Sequence, residues 1–395
     1  MRVPVFSTKM MRRIFLLLPA FLVATGFAGE VRLWTCPPGK PFAAELVAAD
    51  GLRATLLVPG RGKAVVPFAL MSAADVAYIR EWRARNRRAP LVDPERIAPW
   101  PAEAVAENLE VRVIAEDVAG AKFSYESAHF AVESDIKLPV AAVRDITAVL
   151  EATRAALIAL PLGLVLGEEE VKYPVAMFST AAAYNSAGGI EGSGGYYDGA
   201  SRRMLIFLPN LGIKQGTHAL VLDFQRQLFV LKHEVTHQLL GRWGAALPGW
   251  LNEGFAECMA ATPYTRGRYS FQNHDGAMHD YLLKWRAGPD RRDLLLIAPS
   301  RLMALTPPEW RDEVKAVTAY PLYNSSALLT HWFLHHDGHG DGVSMAAYFD
   351  ALRRGVPPEQ AEAEQLLRGR TRERLDAEVQ TLCRKLGLQW KMDAR

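Results

Sequence analysis

The sequence predicts an α+β protein in two units, and three observations predict it. At 395 residues the chain is longer than one hydrophobic core usually supports. Residues 31–72 read as short strands broken by turns, whereas from Ala219 onward nearly everything is helical in period. Between them strand-like and helical stretches alternate, the pattern of an α+β unit with its helices segregated. Half the residues are hydrophobic, 23% are charged and the formal net charge is +3, an ordinary globular composition. The densest basic run, Arg80–Arg88, is short and reads as a solvated helix face, so no nucleic-acid partner is expected.

Taken in order, the first thirty residues carry Lys9, Arg12 and Arg13, then an apolar run from Ile14 to Val23, then small residues around Gly26 and Ala28. This is the layout of a secretory signal peptide, residues 1–28, with cleavage before Gly29. The apolar run is short for a membrane span. The expectation is an exported chain, periplasmic or extracellular, with no stable membrane span once the signal is removed. Three cysteines, Cys36, Cys258 and Cys383, are too few for a disulfide framework or a cysteine-rich metal cluster.

Residues 30–86 form the first expected domain: four strands, then a helix from Ala73 to about Asn86 opened by Ser72 as N-cap. Residues 87–106 look like a proline-rich linker, with Pro90, Pro94, Pro99 and Pro101. The second domain, 107–390, opens with strand-like "LEVRVIAED" and "FSYESAHFAVES". It continues with a helical stretch over 141–160 and the strands "VKYPVAMFST" and "RRMLIFLPN". The loop "AGGIEGSGGYYDG" lacks any phosphate-binding glycine pattern and reads as a hairpin loop near a site. The stretch "EAEQLLRGRTRERLDAEVQTLCRKLG" near the end reads as one amphipathic helix.

The chemistry concentrates in "VLKHEVTHQLL". His233 and His237 stand four apart, so on a helix they share a face and can offer two imidazole nitrogens to one Zn²⁺. Glu234 is rotated about 100° away, which suits it to take a proton from a water rather than to ligate. His-Glu-x-x-His is the zinc metallopeptidase signature. Downstream, "LPGWLNEGFAEC" breaks at Pro248-Gly249, so a new helix can cross back and bring Glu253 to the two histidines. Two imidazoles, one carboxylate and a water give the open coordination expected of catalytic zinc. Glu257, one turn on, is expected to support His233, with Asn252 beside it in the supporting set.

"HEVTH…WLNEGFAE" resembles the gluzincin metallopeptidases, which include thermolysin and the aminopeptidase N relatives. The resemblance implies one Zn²⁺ held by His233, His237 and Glu253, with Glu257 as the supporting acid. "AYPLYNSSALLTHWFL" resembles the helix whose tyrosine stabilises the oxyanion in aminopeptidases, which here falls on Tyr323, three after Tyr320. Two departures stand out. The gap from His237 to Glu253 is shorter than is usual in those enzymes, and no Gly-x-Met-Glu-Asn motif lies upstream. "GSGGYYDGASRRMLIF" occupies that place, where an edge strand could bind substrate backbone. The match is therefore closer to the bacterial peptidase-MA-like proteins and spans about residues 125–385. The implied fold is a thermolysin-like domain with a mixed β-sheet and a helical C-terminal half.

The N-terminal segment is similar to the Sla-one homology domain, a small SH3-like β-barrel. Arg32, Trp34, Phe42, Gly62, Lys63, Val66, Pro67, Ser72, Asp75 and Tyr78 carry that likeness. It implies either a peptide- or substrate-docking module or a purely architectural one, beside a catalytic unit whose substrate is a peptide or protein. The rivals are a catalytically inactive binding or scaffold protein and a zinc hydrolase of a non-peptide substrate. The intact Glu234 counts against the inactive form. Two downstream clusters, "HWFLHHDGHGDG" and "FQNHDGAMHDY", resemble a further metal pattern, but they read more simply as helix caps and solvated tips.

Overall fold

Strong β-formers within residues 31–67 form strands where the sequence pattern asks for them. A computed structural model describes residues 31–36, 40–49, 53–85, 91–166, 172–215, 220–222, 228–244, 246–283, 293–315 and 320–392. The expected signal segment, 1–28, lies outside the described residues. The chain divides into two compact units, residues 1–87 and 88–395.

In the first unit, β1 (Val31–Trp34), β2 (Phe42–Ala49), β3 (Arg53–Val58) and β4 (Gly62–Pro67) form an antiparallel sheet in the order β1-β2-β3-β4. Helix α1 (Ala73–Arg85) follows. Among the described residues no sheet of the protein closes into a barrel. Trp34, Ala44, Leu46, Ala54, Leu56, Met71 and Ile79 make a separate small core. Asp75 organises its polar rim: it accepts bonds from Arg32 (2.7 Å), Thr35 N (2.8 Å) and Ser72 Oγ (2.8 Å), while Ser72 Oγ caps α1 by accepting from Asp75 N. The Arg32 guanidinium also lies 3.8 Å from the Tyr78 ring centroid and 4.7 Å from that of Trp34.

The second unit begins with β5 (Leu91–Val92) and β6 (Glu103–Val105), then β7 (Arg112–Asp117), β8 (Lys122–Glu126), β9 (Phe130–Ser134) and α2 (Val140–Ala159). Next come β10 (Leu164–Val165), β11 (Tyr173–Phe178), α3 (Ala181–Ser186), β12 (Gly195–Asp198), β13 (Arg203–Phe207), β14 (Ile213–Gln215) and β15 (Leu220–Leu222). The remainder is α4 (Leu228–Leu239), α5 (Gly249–Ala261), β16 (Tyr264–Thr265), β17 (Arg268–Ser270), α6 (His274–Tyr281), β18 (Asp293–Leu296), α7 (Pro299–Leu302) and α8 (Pro307–Lys315). It closes with α9 (Tyr320–His335), α10 (Val343–Arg353), α11 (Pro358–Ala361), α12 (Arg372–Lys385) and β19 (Gln389–Met392).

Six strands form the main sheet in the order β12-β13-β11-β9-β8-β7, with β9, β11 and β13 parallel and the outer strands antiparallel. Edge strand β7 is exposed throughout and carries Arg112, Glu116 and Asp117, charges that discourage edge pairing. The opposite edge, β12, lies against α4. Helix α2 buries Val143, Ile146, Val149, Leu150, Ala156 and Leu157, a helical stripe that the sequence displays, and ends before Pro161.

Three sequence expectations need correction. Residues 87–106 are not a free linker: β5 pairs with β10 and β6 pairs with β17, because Val92 and Ala104 are buried in the core of the second unit. The C-terminal half is not purely helical, since β16–β19 each pair with a partner although they are too short to show a period. The long amphipathic helix near the end breaks at Arg368 and Gly369, both with positive φ, and restarts at Thr371, whose side chain accepts from Arg374 N. No helix among the described residues is long and apolar enough to cross a membrane.

Candidate metal centre

Helix α4 is amphipathic in a useful sense: Leu231, Val235 and Leu239 enter the core, which leaves His233, Glu234 and His237 half-buried on the other side. Gln238 anchors it to the sheet region through bonds to Pro174 O (2.8 Å) and Arg202 O (3.2 Å). Buried Lys232 bonds Thr262 O (2.6 Å) just past α5, and burial alone pushes its pKa down to about 7.

Helix α5 then crosses back as Pro248-Gly249 demands. A Cβ at Gly254 would stand 1.9 Å from Thr330 Oγ1 and 2.5 Å from Ser326 O, so only glycine lets α5 approach α9 this closely. That approach sets Glu253 opposite α4.

The three expected ligands meet. His233 Nε2 and His237 Nε2 are 3.0 Å apart, and Glu253 Oε2 is 3.4 Å from each. Around a tetrahedral ion with bonds of about 2.0–2.1 Å, neighbouring ligand atoms stand roughly 3.3 Å apart. The triangle fits. Glu253 Oε2 is buried without a hydrogen-bond partner, which is costly unless a cation completes it. No protein-family model and no curated protein sequence matches the chain.

The supporting shell is equally concrete. Glu257, fully buried, places Oε1 3.3 Å from His233 Nδ1, an ion-pair distance. Its other oxygen accepts from Tyr281 O–H at 2.5 Å, a partner on α6 that no local pattern announced. Burial works against a charged His233, but Glu253 and Glu257 outweigh it and push the imidazole up to about 10. Burial also raises the Glu253 carboxyl, yet His237 and His233 together hold it well below the usual range. The cluster therefore demands positive charge.

Glu234 is held differently. Burial raises its pKa above the ordinary carboxylate value, against the pull of His233 and His237 and of a backbone hydrogen bond from Tyr197. Its neighbour Gly195, on edge strand β12, has no room for a side chain: a Cβ would lie 2.7 Å from Glu234 Cγ. Gly195 and Tyr197 thus set the base against the sheet edge, and only the glycine pair in "SGGYYDG" hinted at that closeness.

Tyr323 lies in the first turn of α9, half-buried, its ring centroid 6.4 Å from that of His233. Tyr320, three residues earlier at the start of α9, is exposed. Asn252 is near but not engaged: its backbone N–H bonds Pro248 O, and among the described residues no side-chain hydrogen bond joins it to the cluster.

The downstream histidines are not solvated tips. His331 and His336 converge on Asp275 Oδ1 at 2.9 and 2.7 Å, and His274 stacks on His335 with centroids 3.8 Å apart. His339 is exposed, as the sequence suggested, while Asp337 is buried and bonded by Arg368 and Arg370. The cysteines Cys36, Cys258 and Cys383 are free.

Proposed function

We propose that this chain is an exported zinc-dependent peptidase of gluzincin type. The observation that carries the reading is the 3.0, 3.4 and 3.4 Å triangle of His233, His237 and Glu253, whose buried carboxylate oxygen makes no hydrogen bond, with Glu234 beside it. His233 and His237 would hold Zn²⁺ through Nε2 and Glu253 through Oε2. When bound, the ion would supply a lowered pKa to a water and polarise the scissile carbonyl.

The remaining work falls to the chain. Glu234 takes the proton of the attacking water and passes it to the leaving amine, a task suited to a carboxyl whose pKa burial has raised. Glu257, held by Tyr281, orients the His233 ring. The Tyr323 hydroxyl donates to the carbonyl oxygen as negative charge develops there. Edge strand β12 supports a peptide substrate over a compact one, because an extended backbone can add alongside it within reach of Glu234.

The test is the metal content of the purified chain beside His237→Ala and Glu253→Ala, followed by turnover of a quenched peptide library. Zinc bound by wild type and lost from this cluster in both variants, with hydrolysis lost too, is the expected result. Peptide hydrolysis that persists in either variant would overturn the reading. For the first unit we propose an SH3-like fold of the Sla-one homology type, supported by the single network that joins Arg32, Trp34, Ser72, Asp75 and Tyr78. Its proposed task is to dock peptide segments. Deleting residues 30–86 should then raise KM for protein substrates more than for short peptides, and equal changes would sink that role.

A further inference from the structure

We propose that His274, Asp275 and His336 form a second divalent-metal site, taking a first-row transition ion such as Zn²⁺ and tying the start of α6 to the end of α9. One ligating atom from each of these residues lies within 4.8 Å of the others. Asp275 Oδ1 stands 2.7 Å from His336 Nε2 and 3.9 Å from His274 Nε2. Those separations bracket the roughly 3.3 Å spacing of neighbouring ligands around a tetrahedral ion. Binding would replace the contact between Oδ1 and His336 with a shared ion and requires only small side-chain shifts.

The surroundings hold the donors in place. His331, buried on α9, reaches the same Oδ1 at 2.9 Å, and Lys385 at the end of α12 binds Oδ2 at 3.0 Å. The His274 ring lies nearly parallel to His335 at 12°, and His335 packs on Trp100 with centroids 4.4 Å apart. Carboxylates and rings fixed by such outer partners are the usual environment of a metal ligand. Three imidazoles stand within 3.9 Å of one carboxylate oxygen and a fourth, His335, stacks on one of them, more nitrogen than an ion pair with Lys385 needs. Imidazole with carboxylate is the donor mix that suits Zn²⁺ and its neighbours. His274, Asp275 and His336 are all half-buried, which leaves a route for an ion from solvent.

The location gives the site a task. Helix α6 starts at His274 and ends at Tyr281, the donor to Glu257; α9 starts near Tyr323 and ends beside His336. The two clusters share no residue, yet both are mounted on elements that reach the same two helices. An ion at Asp275 would staple the far ends of α6 and α9 and so fix the helices that present Tyr281 and Tyr323.

The inference does not rest on the peptidase reading. The purified full chain, stripped by a chelator, would be titrated with Zn²⁺ alone and its bound metal counted by mass spectrometry. Two equivalents are expected for wild type, one for His237→Ala, one for Asp275→Asn, and none when both changes are combined. Asp275→Asn preserves shape, and circular dichroism checks that it folds; His336→Gln provides a second variant with the same expectation. In the His237→Ala background, added Zn²⁺ should also raise the melting temperature, and Co²⁺ should give the absorption of a nitrogen–oxygen site. If the first cluster holds no metal, wild type takes one equivalent that Asp275→Asn removes and His237→Ala does not, and the second site stands. A His237→Ala chain that takes up no ion, or whose ion survives both Asp275→Asn and His336→Gln, would overturn it.

Discussion

The cluster at His233, His237 and Glu253 and the cluster at His274, Asp275 and His336 use the same donor chemistry on different scaffolds. In the first, two donors come from one helical turn of α4 and the third from the next helix, so local spacing does most of the assembly. In the second, α6 supplies two neighbours in its first turn and the third donor arrives from the end of α9, more than fifty residues later. Their surroundings differ as well. The first has a half-buried carboxyl, Glu234, against a sheet edge, whereas the carboxylate of the second is tethered by Lys385. Donor geometry alone therefore does not separate a reaction centre from a staple; the proton-handling group and the edge for substrate do.

The sharpest way to break that comparison is to remove the base. Glu234→Gln should lower peptide hydrolysis by about 10²- to 10⁴-fold, the usual worth of a positioned general base. Zinc content should be unchanged, since Glu234 is no ligand. Activity that survives would show that the first cluster is no more catalytic than the second. Tyr323→Phe comes next, with a loss of about 10²-fold in kcat and little change in KM if its hydroxyl serves the oxyanion. A change confined to KM would place Tyr323 in substrate binding instead.

The contrast also explains what could be read from the residues alone. The ligand triangle was legible because His-Glu-x-x-His states its own geometry and Pro248-Gly249 announces the reversal that returns Glu253. Ser72 likewise declared the start of α1. Tyr281 was not legible, because its bond to Glu257 depends on how α6 packs, and nothing in "MHDYLL" marks a buried acceptor. The role of Gly195 was hidden for a similar reason: a missing Cβ matters only once Glu234 Cγ is known to lie 2.7 Å from where it would be. The downstream histidines misled in the opposite direction. Their position at a helix end resembles a solvated tip, and only the approach of α6 turns them inward around Asp275. Short strands such as β6 and β17 carry too few residues for a period, so long-range pairing rather than local preference decides them.

The smaller predictions ask whether the clusters are coupled. Glu257→Gln weakens the carboxylate that faces His233 Nδ1 and should cost about 10- to 100-fold in zinc affinity at the first cluster. Tyr281→Phe acts one step further out, removing the 2.5 Å bond to a fully buried carboxylate oxygen. A buried acceptor that loses its donor costs about 1–3 kcal/mol. Part of that falls on the fold as a lower melting temperature and part on the orientation of Glu257, so the affinity loss should be about 10-fold or less. Because Tyr281 stands at the opposite end of α6 from Asp275, six residues or about 9 Å along the helix, the second equivalent of metal should be retained. Zinc titrations resolved by competition with a chelator would measure both affinities in one experiment. Equal weakening at the two clusters would mean that α6 transmits the disturbance along its length and that the staple and the reaction centre behave as one unit.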